Sequence, residues 1–222
     1  MTDLEPLLLS FQVAALATLL ATVLGVAIAG VLADPRVPGR ELIDAAMTAP
    51  MVLPPTVLGY YLLVLLGRES AVGHAFEAVF GSPIVFTRGG AVLAATLGAL
   101  PLVTKASRAA LESVDMRLVG AARTLGAGRI RAFFRVSLPL ARRGILAGTM
   151  LGFARALGDF GVTLMVAGNI PGQTRTASLA IYDAVLSGRD ADATRLSLIM
   201  TALAVTVLIG ASHLTRQRQD GF

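Results

Sequence analysis

The chain has 222 residues, 55% of them hydrophobic and 15% charged, with a mean hydropathy of +0.74 and a formal charge of +5. So few polar residues could not cover a water-soluble domain, so the soluble globular classes are poor fits. Cysteine is absent, which removes disulfides, zinc–cysteine sites, iron–sulfur clusters and thiol catalysis, and the basic excess in so apolar a chain marks no nucleic-acid partner.

Crossing a hydrocarbon core of about 30 Å takes roughly 20 apolar residues, so this length allows five or six spans with short loops. The first apolar run, residues 7–33, follows Asp3 and Glu5 and no early Lys or Arg. It is also longer than a signal-peptide core and is expected to be retained. Span one is predicted over residues 8–32, ended by Asp34-Pro35-Arg36-Val37-Pro38-Gly39. Span two is predicted over 43–66, broken near Pro50, Pro54 and Pro55, because proline removes an amide donor and clashes with the preceding turn. Such a break at membrane depth is tolerated only against protein or a water-lined cavity. Residues 67–89 are mixed and turn-rich.

Span three is predicted over 85–104, with Pro101 near its exit. A polar stretch, 105–143, follows as the longest in the chain. Span four is predicted over 144–167, closed by a segment with Gly168, Asn169 and Pro171. The run 177–186 is too short to cross and carries Asp183, so it is expected to be interfacial or re-entrant. Span five is predicted over 196–212. With the N-terminus outside, thirteen of the nineteen basic residues fall on the cytoplasmic side, nine of them between Lys105 and Arg143. The positive-inside rule therefore places 105–143 and the C-terminus in the cytoplasm.

Small residues recur every fourth position: Ala17, Ala21, Gly25 and Ala29 in span one, Ala91, Ala95 and Ala99 in span three, Gly144, Gly148, Gly152 and Ala156 in span four. Lipid offers no hydrophobic drive for helix association, so such stripes mark close backbone contacts, within or between subunits.

The 105–143 stretch has more pattern than a connector needs. Leu118, Ala121, Ala122 and Leu125 share one helical face, Gly126-Ala127-Gly128 breaks the helix, and Ile130, Phe133 and Phe134 form a second apolar face beside Arg129, Arg131 and Arg135. Two amphipathic helices meeting at a glycine turn suit either an anionic lipid surface or a soluble partner. Within span four, Arg155 and Asp159 lie four apart on one face. Ionisable residues at that depth face a partner or a water-filled path. The pair either fixes the bundle or leaves Arg155, or exposed amides near Gly158 and Gly161, to assist a passing oxyanion.

What the chain lacks narrows its chemistry. There is no Gly-x-x-x-x-Gly-Lys-Ser/Thr, so no ATPase phosphate loop can be built, and Lys105 precedes an alanine. His74 and His213 are isolated, and neither His-Glu-x-x-His nor Gly-x-Ser-x-Gly occurs. No catalytic residue and no metal ligand set is expected.

Gly120-Ala121-Ala122, three residues, Gly126, nine residues, Val136, one residue, Leu138-Pro139 resembles the cytoplasmic loop of ABC importer permeases, whose pattern is Glu-Ala-Ala, three, Gly, nine, Ile, one, Leu-Pro. Ala121, Ala122, Gly126, Leu138 and Pro139 match, whereas Gly120 and Val136 depart from the pattern. The resemblance spans residues 8–214 and implies an all-α type I permease fold of about five core spans, with this loop as the coupling helix seated on a separate ATPase. It also implies two permease copies as a two-fold homodimer in the inner membrane, a pair of ATPase subunits holding ATP and magnesium, and an extracytoplasmic binding protein. Residues 153–161, 167–174 and 179–182 resemble molybdate permeases most and sulfate permeases less, with Asp159 where the family commonly has glutamate. An ion-coupled secondary transporter would need its own coupling carboxylates and usually two similar halves. The chain shows one acidic residue deep in a span and no inverted repeat of hydropathy.

Overall fold

The computed structural model describes residues 4–34 and 36–216, and these are helical throughout apart from turns and caps. Asp3, Pro35 and the basic Arg218 near the C-terminus lie outside the described residues. The fold is an all-α membrane bundle. Three of its helices are each long and apolar enough to cross a bilayer, and five spans result if each of two bent helix pairs counts as one.

Helix α1 (Leu4–Leu32) is 29 residues long, or about 43 Å at 1.5 Å per residue. It buries Val13, Ala14, Ala17, Ala21, Gly25 and Ala29 and leaves Leu8, Leu16, Leu19 and Val23 exposed. An apolar outer face of this kind is what lipid covers. The second predicted span is two helices, α2 (Arg40–Val52) and α3 (Pro55–Leu66), whose axes differ by 114°. Pro54 and Pro55 hold Leu53 and Pro54 in extended backbone, because the residue before a proline is pushed out of the helical region. Pro50, by contrast, lies inside α2.

Residues 67–89 contain a helix that their turn-rich composition masked, α4 (Ala71–Phe80). Ser70 caps it by accepting the Gly73 amide at 2.8 Å, and Gly81 ends it at φ +69°. Helix α5 (Arg88–Glu112) runs eight residues beyond the predicted end of span three. Arg108 holds that extension, pairing with Glu112 at 2.8 Å and with Asp44 of α2 at 3.2 Å. There follow α6 (Met116–Thr124), α7 (Arg129–Ala132), a π-helical turn (Phe133–Ser137) and α8 (Leu138–Leu157). The 105–143 stretch is therefore helical at both ends rather than a free loop. Span four does not run unbroken to residue 167: it breaks after Leu157, and α9 (Gly161–Ala167) continues at 61°. Helices α10 (Ala177–Leu186) and α11 (Asp190–Arg216) complete the chain, α10 filling the short apolar run and α11 starting six residues before the predicted span five.

The small-residue stripes close on one another within the subunit. Helix α5 packs along both α1 and α8, which also touch each other. A Cβ added at Gly144, Gly148 or Gly152 of α8 would lie 2.6, 2.5 or 2.5 Å from side-chain carbons of Ala110, Ala106 or Val103 of α5. Gly25 of α1 is similarly closed by Val103 and Thr104. Thr22 of α1 and Thr149 of α8 add a hydroxyl–hydroxyl bond of 3.2 Å.

The bundle's ends differ. At one, the side chain of Arg88 donates to the carbonyls of Gly172 and Gln173, and Asp183 accepts from Arg175 at 3.3 Å and Arg189 at 2.8 Å. A cavity of about 410 Å³ opens there beside Glu5 and Gln12. The other end carries Asp34, the α2 N-terminus and residues 113–137.

Candidate coupling segment and mid-span ion pair

The candidate coupling segment starts at Asp115, whose carboxylate accepts the Arg117 amide at 2.8 Å and caps α6. Its turn is a left-handed C-cap: Gly126 sits at φ +85°, its amide donates to Arg123 O, and the Ala127 amide reaches back to Ala122 O at 3.0 Å. That Schellman arrangement selects glycine, because a side chain at positive φ is strained. Leu138 packs against the buried cluster of Ala29, Leu111, Val114, Ala141 and Ile145. Pro139 opens α8. Having no amide hydrogen and crowding the carbonyl four residues back, it is preceded by the widened turn in which the Leu138 amide bonds Phe133 O.

Which apolar side chains point outward decides what the segment can do. Leu118, Leu125, Ile130 and Phe134 are exposed, Leu125 by 88%, while Ala121 is exposed and Ala122 half-buried. Nothing lies within 4 Å of a Cβ built at Gly120, Gly126 or Gly128. Phe133 does not share the outer face with Ile130 and Phe134. It packs inward with Val119, because neighbouring helical residues are about 100° apart. The anchors Val119 and Phe133 were readable only from tertiary contacts.

The second site is the break in span four. Asp159 is 3% exposed and lies between α8 and α9. Its Oδ1 accepts from Arg155 Nη1 at 3.0 Å, and its Oδ2 accepts both the amide of Thr163 at 3.0 Å and the hydroxyl of Thr163 at 2.7 Å. The carboxylate therefore satisfies an amide freed by the break, as backbone at membrane depth requires. Gly98 of α5 leaves room for the guanidinium, since a Cβ there would lie 3.3 Å from Arg155 Nη2. Thr163 and Gly98 were missed in the sequence, although Thr163 stands one helical turn beyond Asp159. The Arg155 side chain stays 37% exposed. Gly158 is exposed but its amide already donates to Ala154 O, and Gly161 packs against Pro55, with a built Cβ 2.8 Å from that ring.

Residues 11–217 match the model of the family described as binding-protein-dependent transport system inner membrane component. The chain belongs to this family. Over 213 residues the permease is 45% identical to the "Molybdenum transport system permease protein ModB" of Escherichia coli (strain K12), covering 96% of this chain and 93% of that one. It is 33% identical over 220 residues to the "Probable sulfate transport system permease protein cysT" of Chlorokybus atmophyticus, covering 97% of this chain and 77% of the other. The permease also shares the fold of the MetNI methionine ABC transporter in its inward-facing conformations, with a TM-score of 0.76 at 16% identity over 96% of this chain and 94% of that one. It is a multi-pass inner-membrane component.

Proposed function

We infer that this permease is the membrane subunit of an ATP-binding-cassette importer that carries molybdate, or the near-isosteric tungstate, inward. The observation that carries the importer reading is the 116–134 segment, where Leu118, Leu125, Ile130 and Phe134 stand exposed at the end of the bundle around a glycine turn. Apolar side chains held outward on a capped, ordered element fit the groove of a soluble partner. That partner is the ATPase, met through Ala121, Ala122 and Gly126, while Leu138 and Pro139 root the segment in α8. ATP and magnesium belong to the ATPase.

Two copies of the permease enclose the pathway, with a pair of ATPases on the cytoplasmic side and an oxyanion-binding protein outside. The N-terminus lies outside and residues 105–143 inside, which the basic-residue count supports. Closure of the ATPase pair moves both coupling segments together and switches the pathway between its two openings. Along that pathway Arg155 is the group suited to meet a dianion. Its pairing with Asp159 keeps the standing attraction low enough for release. Gly158 and Gly161 shape the break rather than bind.

Molybdate is favoured over sulfate by the higher identity to the molybdenum permease, 45% against 33%. Purification of the complex from native membranes, identifying its ATPase and binding protein, tests the assembly. Recovery with no ATPase would overturn it.

A further inference from the structure

We propose that α1 is a second output of the coupling segment, entered through Phe133 on Gly30 and Arg129 on Asp34, and that it carries the segment's movement to the opposite end of the bundle. This rests on the coupling reading above.

The obvious output is α8, but it joins the segment through the π-helical turn Phe133–Ser137. A widened turn is a compliant joint and often marks a functional position. The contacts to α1 are made before that turn, by Arg129, and at its first residue, Phe133, ahead of the rest of the joint. A Cβ built at Gly30 would lie 3.1 and 3.2 Å from two ring carbons of Phe133, so the ring sits directly on the α1 backbone. Around it Val26, Ala29 and Ala33 of the α1 end join Leu111, Val114 and Ile145 in one cluster. One turn before Phe133, Arg129 pairs with Asp34, just past the α1 end. Asp34 is itself fixed, because its other carboxylate oxygen accepts the Arg36 amide at 2.9 Å. Gripped at two points on successive turns, the α1 end has to follow the segment.

From there α1 is one uninterrupted helix of 29 residues with no proline between Leu7 and Leu32. At its far end the buried Ser10 hydroxyl accepts the Ala177 amide at 2.7 Å, the first residue of α10. A packed helix moves as a rigid body rather than stretching. Displacement at Gly30 therefore reaches the N-terminus of α10, beside the cavity lined by Ala180, Asp183 and Ala184.

The test uses the full complex in vesicles and measures molybdate imported per ATP hydrolysed, with subunit assembly checked by co-purification. Asp34→Arg is expected to lower that ratio by about threefold or more, the scale of coupling changes, and Arg129→Asp in the same chain to restore it to within about twofold. Phe133→Leu and Gly30→Ala, which alter the second grip, are expected to lower the ratio without loss of assembly. Failure of the reversed pair to restore the ratio, or unchanged ratios in Asp34→Arg and Gly30→Ala, overturns the role of α1. A cysteine at Leu125 that cross-links to the ATPase in such a result leaves the coupling segment standing and removes only α1. Absence of that cross-link removes both.

Discussion

The amide and the hydroxyl of Thr163 both donate to one oxygen of Asp159, at 3.0 and 2.7 Å, so a residue inside the break in span four also holds the first turn of the helix beyond it. Replacing Thr163 with valine keeps the shape and removes the hydroxyl. We expect a loss of about 1–3 kcal/mol, the cost of leaving a buried acceptor short of a partner, measured by reversible unfolding in mixed micelles. A change below about 0.3 kcal/mol, well under that cost, would show that water or another donor takes its place.

Arg155 is placed differently from its partner. Its side chain is 37% exposed and that of Asp159 is 2% exposed, so the arginine can meet a passing anion and the aspartate cannot. Arg155→Gln is expected to slow molybdate import by roughly tenfold, the loss of about 1.4 kcal/mol of stabilisation, in complexes that still assemble and bind ATP. Import at the unmodified rate would leave the pair a purely structural clamp.

The close approach of α5 and α8 predicts which substitutions the bundle rejects. At Gly152 a Cβ would lie 2.5 Å from Val103 Cγ2, and overpacking of that kind costs about 1–3 kcal/mol. Gly152→Ala should lower the thermal unfolding midpoint in detergent, and Val103→Ala in the same chain should recover most of the loss. If the second change deepens the defect instead, the two helices do not meet there.

Topology and turn can be tested together, because the chain has no native cysteine. Single cysteines at Gly128 and Gln173, both exposed, should react with an impermeant reagent from opposite sides of the membrane. Gly126→Pro should uncouple ATP hydrolysis from import with the spans still inserted, because proline cannot adopt the φ of +85° found there. Labelling from one side only would remove the coupling assignment along with the orientation.

The features readable from sequence were those set by short-range chemistry. The end of α1 at Leu32 follows from its uncharged run, although the helix starts at Leu4, four residues before the predicted span and with Glu5 inside it. The broken second span follows from Pro54 and Pro55, and the Gly126 turn from glycines set between two apolar faces. The stripes in spans one, three and four announced close contacts, and only the structure assigns them to the packing of α5 along α1 and α8 within one subunit. Two things escaped for physical reasons. The break at residues 158–160 contains no proline, and it is stabilised by a carboxylate whose capping role depends on where Thr163 folds back. The helix α4 was hidden because Ser70 and Gly81 read as loop residues, although in the fold they are its caps.

Substrate choice is the prediction furthest from the fold itself. Molybdate and sulfate are both tetrahedral dianions, and sulfate is the smaller. A single guanidinium beside a carboxylate distinguishes them poorly, since size discrimination needs a closed ring of donors. Most of the selectivity is therefore expected to reside in the binding protein that delivers the anion. The permease needs only to pass what is handed over without holding it. The measurement is ATP-dependent uptake of labelled molybdate and sulfate by vesicles holding the complete complex with its own binding protein, each anion also tested as competitor. Molybdate should accumulate, tungstate should compete, and sulfate in excess should leave uptake nearly unchanged. Sulfate import without molybdate import would reassign the cargo, yet the ATP dependence of that import would leave the permease family and its coupling segment as they stand.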